Sequence, residues 1–108
     1  MGYIPNQGDI IWLDFTLQSG HELRGKRPAL VISNYFFNRQ TGLSLVCPIT
    51  STKRNYPLHI MVSCKEISGF VMAEQVKSVD YQSRNAGFIE KAPGELLSEV
   101  LSVLQACL

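Results

Sequence analysis

The sequence predicts a mainly β fold: five or six short strands in a small, strongly curved antiparallel sheet or partly open barrel, with one C-terminal helix. Three observations carry this. The apolar runs are short, rich in β-branched and aromatic residues, and separated by turn residues. Only the last segment changes from alternation to helical spacing. The chain has 108 residues and 45% hydrophobic content, which suits a single domain spanning 1–108, large enough for a core yet small enough to gain from self-association.

Each element has its own signal. Asp9 to Phe15 (DIIWLDF) alternates as a strand, with Ile11, Leu13 and Phe15 on one face and Ile10, Trp12 and Asp14 on the other. Arg27 to Ser33 is a second strand, apolar almost throughout and therefore expected to be buried on both sides. Between Asn34 and Gly42, Tyr35 to Gln40 is long enough for about one turn of helix. Leu43 to Ile49 resumes as a third strand, where Pro48 predicts a bulge or an edge position. Leu58 to Ser63 and Phe70 to Val79 complete five strands, and Phe88 to Ile89 fits a short sixth. Leu96, Leu97, Val100, Leu101, Leu104 and Leu108 then form one face of a helix, opposite Glu95, Ser98, Glu99, Ser102 and Gln105. Pro93 suits its first turn, and Glu95 lies near the positive end of its dipole.

Composition excludes several classes. No apolar run approaches the ~18 residues that span a bilayer, and no basic segment leads into an apolar stretch at the N-terminus, so no membrane partner and a cytoplasmic location are expected. Cys47, Cys64 and Cys107 are odd in number and far apart, which suggests neither a disulfide framework nor a zinc site. Net charge is only +1, but it is unevenly spread. Between Thr16 and Pro57 the cations Arg24, Lys26, Arg27, Arg39, Lys53 and Arg54 meet the single acid Glu22; from Asn85 onward Lys91 meets Glu90, Glu95 and Glu99. One basic flank can attract a polyanion without making the whole chain basic.

The chemistry concentrates in GHELRGKRPALVIS, Gly20 to Ser33. Gly20 and Gly25 bracket a tight loop that presents His21, Glu22 and Arg24 at a strand mouth. Pro28 biases Arg27 towards extended backbone, so its guanidinium sits on a rigid element and can grip two oxygens of one phosphate. Pro48, Ile49, Thr50 and Ser51 place two hydroxyls beside Lys53 and Arg54, and hydroxyls at a strand end are suitable donors to phosphate oxygens. In AEQVKS, Ala73 to Ser78, polar residues interrupt a strand pattern; a carboxylate there needs a partner, and Glu74 either pairs with Arg27 or works as an acid or base.

GDIIWLDF, GHELRGKRPALVIS, CPITS and AEQVKSVD, in that order and at these spacings, resemble the MazF/PemK family of toxin–antitoxin endoribonucleases. The resemblance runs from Gly8 into the terminal helix. It implies an SH3-like barrel, a homodimer, and cleavage of single-stranded RNA (mRNA) that is metal-independent, sequence-selective and needs no cofactor, inhibiting translation and growth. It also implies a cognate antitoxin whose disordered segment covers the active site. By position, Arg27 holds the scissile phosphate, Thr50 donates a hydrogen bond to it, and Glu22 is the base, in the carboxylate position of the MazF branch. Glu74 stands where PemK-type members carry an aspartate, and Met72 occupies the position of their arginine. His21 matches a histidine of the PemK branch and is placed to contact RNA or share proton transfer. Ser51, Lys53, Arg54 and Tyr56, with Gln75 and Lys77, are the candidates for reading bases, and Arg84 matches a family arginine. His59 matches no motif and is assigned a structural role. The alternative on the same barrel is a non-enzymatic CcdB-like inhibitor that binds DNA gyrase through a tryptophan-containing tail; the absence of tryptophan after Trp12 disfavours it.

Overall fold

In the computed structural model, which describes residues 2–15, 25–54 and 56–108, the strands form one curled antiparallel sheet. They are β1 (Asp9–Asp14), β2 (Lys26–Val31), β3 (Leu43–Thr50), β4 (His59–Ser63), β5 (Ser68–Met72), β6 (Lys77–Asp80) and β7 (Gly87–Lys91). A short helix α1 (Tyr35–Thr41) joins β2 to β3, and α2 (Gly94–Ala106) follows β7. The order across the sheet is β4-β5-β3-β2-β1-β7, with β6 also on β3.

Seven strands stand among the described residues because the expected Phe70–Val79 strand is two. Ala73–Gln75 forms a 3-10 turn, closed by the Val76 N–H donating to Ala73 C=O at 3.2 Å. Ala, Glu and Gln are poor strand formers, which is why the ladder breaks there. From Ile49↔Val71 to Val46↔Lys77, three steps along β3 are matched by six on its neighbour, and the excess equals the turn.

This break also explains Pro48, expected at a bulge or an edge: it lies in the middle of the sheet opposite Ala29, where its other neighbour bulges out by three residues. Leu45 C=O accepts from Ile32 N–H, so odd-numbered residues of β3 address β2 and the Pro48 nitrogen faces the other way. There the 3-10 turn has already interrupted the ladder, and the missing N–H costs no hydrogen bond.

The expected alternation of β1 holds. Ile11, Leu13 and Phe15 join Ala29, Val31, Val46 and Val79 in one fully buried cluster. Ile10 belongs to the larger cluster with Leu30, Cys47, Ile49, Val71, Leu96 and Val100, against which Trp12 packs. Helix α2 covers this second cluster, meeting β4 and the 3-10 turn. Its apolar stripe ends at Leu104, with Val103 also packed inward; Leu108, expected on the stripe, lies past the helix end and is exposed.

Helix α1 is closed at both ends. The Asn34 side chain accepts from Phe37 N–H, and Gly42, at a φ of 73°, supplies the left-handed C-cap. The fully buried Asn38 ties the helix down: its Nδ2 donates to Pro5 C=O at 2.8 Å and Ser33 C=O at 3.2 Å, Ser33 Oγ donates to its Oδ1, and Tyr81 OH donates to its carbonyl at 2.8 Å. Near the N-terminus, the buried Asp9 accepts from Tyr3 OH and pairs with Lys91 Nζ at 2.6 Å. Burial and the neighbouring Asp9 carboxylate push the Tyr3 hydroxyl well above its ordinary range.

Candidate active site

Strand register brings Arg27 and Thr50 together. Arg27 lies opposite Leu13 in the β1–β2 ladder, two residues before Ala29, which faces Pro48. Thr50 lies two residues beyond Pro48, so both side chains occupy the same end and the same face of the β2–β3 pair. Each is half-buried, with the sheet on one side and solvent on the other. Lys77 opposite Val46 continues this face onto β6.

Phe15 is the floor. Its ring is fully buried, with Lys77 Nζ 5.5 Å from the centroid and the Arg84 guanidinium carbon at 6.0 Å. Arg84 is held by its Nη1 donating to Asp14 C=O at 3.2 Å, while the backbones of Asp14 and Arg84 are joined by a 2.9 Å hydrogen bond. A cation held over an aromatic face is attracted by the negative face of the ring. Arg27, Lys77 and Arg84 thus lie on one face with a hydroxyl at its rim, residue types suited to an oxyanion that bears charge on several oxygens.

Thr50 is further placed by Gly69, whose backbone passes so close that an added Cβ would lie 2.3 Å from Thr50 C=O. Thr50 Oγ1 also accepts from Thr52 N–H at 3.2 Å, turning the chain into the following loop. Ser51, Lys53, Arg54 and Tyr56 are all exposed on that loop, as is Gln75 on the 3-10 turn. His21 and Glu22, with Arg24, lie outside the described residues. Gly25 has a φ of 77°, a backbone conformation that residues with a Cβ rarely adopt, and its C=O accepts from Phe15 N–H at 2.8 Å.

Glu74 differs from expectation: its carboxylate bonds His59 Nε2 at 2.9 Å, not Arg27. The strand break turns it away from the ladder and towards the first residue of β4. His59, read from sequence as a structural residue, is therefore the partner that a carboxylate in a strand pattern required. Met72, opposite His59, is buried and supplies no charge. Behind the sheet, burial, followed by the negative charge of Glu74, pushes the Cys47 thiol up to about 12. Phe15 was legible only as a core residue; its second role appears when β6 and the turn after it set two cations against the ring. Among the described residues, no three His, Cys, Asp or Glu side chains converge as a metal-ligand set. None of the described helices is long and apolar enough to cross a membrane.

Comparison with known proteins places this arrangement in context. The family described as PemK-like, MazF-like toxin of type II toxin-antitoxin system matches residues 6–108. The endoribonuclease toxin MazF of Escherichia coli (strain K12) is 36% identical over 104 residues, covering 96% of this chain and 90% of that protein. The crystal structure of MazF (Form-I) from Deinococcus radiodurans superposes with a TM-score of 0.91 at 40% identity, covering 98% of this chain and 97% of that one. A crystal structure of MazE-MazF (Form-II) from the same organism gives a TM-score of 0.86 at 36% identity, covering 98% and 96%. The gyrase-inhibitor alternative gains no support from these likenesses.

Proposed function

The chain belongs to the PemK-like, MazF-like toxin family of type II toxin–antitoxin systems, and from that membership and the site we infer that it is an endoribonuclease toxin that cleaves single-stranded RNA. The observation that carries the reading is the meeting of Arg27 and Thr50 at one end of the β2–β3 pair, on a face that also bears Lys77 and Arg84.

RNA carries its own nucleophile in the 2′-hydroxyl, so the protein has three tasks: to take that proton, to stabilise the phosphorane, and to assist the departing 5′-oxygen. Arg27 grips two phosphate oxygens and matches the charge that grows on them. Thr50 donates a hydrogen bond to one of the same oxygens. Glu22 takes the 2′-proton, with His21 beside it in sequence to contact RNA or share the transfer. Once the 2′-oxygen bonds phosphorus, the P–O5′ bond breaks and the departing oxygen takes a proton from His21 or from water, leaving a 2′,3′-cyclic phosphate and a 5′-hydroxyl. Because substrate supplies the attacking group, this chemistry calls for neither a metal nor a cofactor. Glu74, engaged with His59, serves the loop that reads bases, and Ser51, Lys53, Arg54, Gln75 and Lys77 bind the chain on either side of the cut. The partners are the RNA, a second copy of the chain, and a cognate antitoxin, since a likeness to the MazF of a MazE-MazF complex extends over the whole fold. The site of action is the cytoplasm, where mRNA is accessible.

The test is cleavage of a defined single-stranded RNA by the purified protein in EDTA, with mapped ends. Wild-type protein is expected to leave 2′,3′-cyclic phosphates, and Arg27→Ala to lose roughly two to three orders of magnitude in kcat. Equal cleavage by Arg27→Ala would refute the mechanism, and abolition by EDTA would refute its independence of metal.

A further inference from the structure

The loop from Ser51 to Leu58 ends on an arrangement that the reaction itself does not need. The Tyr56 ring is 48% exposed, on the same loop as Lys53 and Arg54. Its inner side meets the His59 imidazole, centroid to centroid at 5.0 Å and at 72°, an edge-to-face contact. The His59 side chain is only 3% exposed, and its backbone N–H donates to Tyr56 C=O at 3.0 Å. Glu74 Oε2 holds His59 Nε2 at 2.9 Å. Nδ1 is buried with no partner among the described residues, so the Glu74 bond is the polar restraint these residues place on the ring.

A carboxylate and a buried imidazole are a costly way to build a turn, because an apolar residue under Tyr56 would pack as well without two polar groups to satisfy. The arrangement does what packing alone does not: it fixes the rotation of the imidazole, and through the edge contact the plane of the exposed Tyr56 ring. A fixed, half-exposed aromatic ring on a loop that also carries two cations is the chemistry that takes a nucleobase, stacked on the ring while the cations follow the backbone.

We propose that His59, anchored by Glu74, is a positioning residue that sets the Tyr56 ring as a stacking platform for one base of the RNA. This rests on the endoribonuclease reading and adds a subsite to it. His59 touches neither the reacting phosphate nor the base; it acts through Tyr56.

The experiment uses the full chain and a single-stranded oligoribonucleotide bearing the site most often cut in a random RNA pool, with each base near the cut removed in turn. In wild-type protein, removing one particular base is expected to raise KM about tenfold at unchanged kcat, the loss of a single stack of about 1.4 kcal/mol. In Tyr56→Ala and His59→Ala, KM for the intact oligonucleotide is already raised by about that factor, and removing the same base costs nothing more. His59→Phe keeps a ring beneath Tyr56 but drops the Glu74 bond, and falls between the two. Thermal unfolding and far-UV circular dichroism report that each variant is folded. Abasic penalties in Tyr56→Ala equal to those of wild type would overturn the platform, and a His59→Phe variant equal to wild type would overturn the part given to Glu74. If wild-type protein cuts no RNA, the endoribonuclease reading falls and the subsite with it; if it cuts but the penalties persist in Tyr56→Ala, only the subsite falls.

Discussion

Gly69→Ala tests how Thr50 is held. A methyl at residue 69 would sit 2.3 Å from Thr50 C=O and 3.1 Å from its carbonyl carbon, both backbone atoms that cannot rotate away. Ordinary carbon–oxygen contacts begin near ~3.3 Å, so β5 and the end of β3 must separate by about 1 Å. The φ of 153° adds a backbone cost of its own for any residue with a Cβ. Overpacking and strain together amount to about 2–4 kcal/mol. In a domain of this size that lowers Tm by roughly 10–20 °C. A 1 Å displacement of a positioned group also costs about a hundredfold in rate, so cleavage by the surviving folded protein at 25 °C should fall with it. Gly42→Ala is the control: its φ of 73° makes alanine strained, but nothing lies within 4 Å of the added methyl. It should lose about 1–2 kcal/mol while cleaving RNA at the wild-type rate, since Gly42 precedes the far end of β3. The assay is paired thermal unfolding and kcat/KM for all three proteins. A Gly69→Ala protein with wild-type Tm would refute the close approach. One that is destabilised yet cleaves normally would refute the coupling of β5 to Thr50.

Two further outcomes follow from buried polar groups. Asn38→Ala leaves Pro5 C=O, Ser33 C=O and Ser33 Oγ without their common partner and should cost about 2–4 kcal/mol in urea unfolding, whereas the exposed cap Asn34→Ala should cost only about 1. Cys47 sets a pH dependence: its thiol ionises near 9 when unfolded but at about 12 in the fold, so folding favours the protonated form. Its contribution is complete below pH 9 and is lost as pH rises towards 12, by at most about 1.4 kcal/mol per pH unit. Between pH 9 and 10, stability should fall less steeply in Cys47→Ala than in wild type, with the remaining slope including Cys64, whose thiol burial and Glu90 also push up; equal slopes would refute the assignment.

Local physics makes most of the fold legible in the sequence. Alternation placed β1 and assigned its two faces, because a side-chain period of two leaves no other arrangement once one face is buried. The segment between Asn34 and Gly42 had room for a short helix, which the structure closes with those two residues as caps, and the leucine spacing marked α2. Pro28 on a strand start made Arg27 a rigid cation, and the motif order paired it with Thr50. These are properties of a residue and its near neighbours, so they are legible in the amino-acid sequence: most of the strands, the terminal helix and the likeness to the family.

What it left open depended on contacts across the sheet. Ala73–Gln75 reads as part of a strand until its register against β3 shows that three residues have left the ladder. That one excursion gives Pro48 a bulge in the sheet interior rather than an edge, and gives Glu74 His59 as its partner rather than Arg27. Phe15 likewise became a floor for two cations only when residues 77 and 84 returned to it from a distant part of the chain. A carboxylate in a strand announces that it needs a partner, but which one depends on register, and register is set by the packing of the whole sheet. The tertiary structure alone decided those pairings.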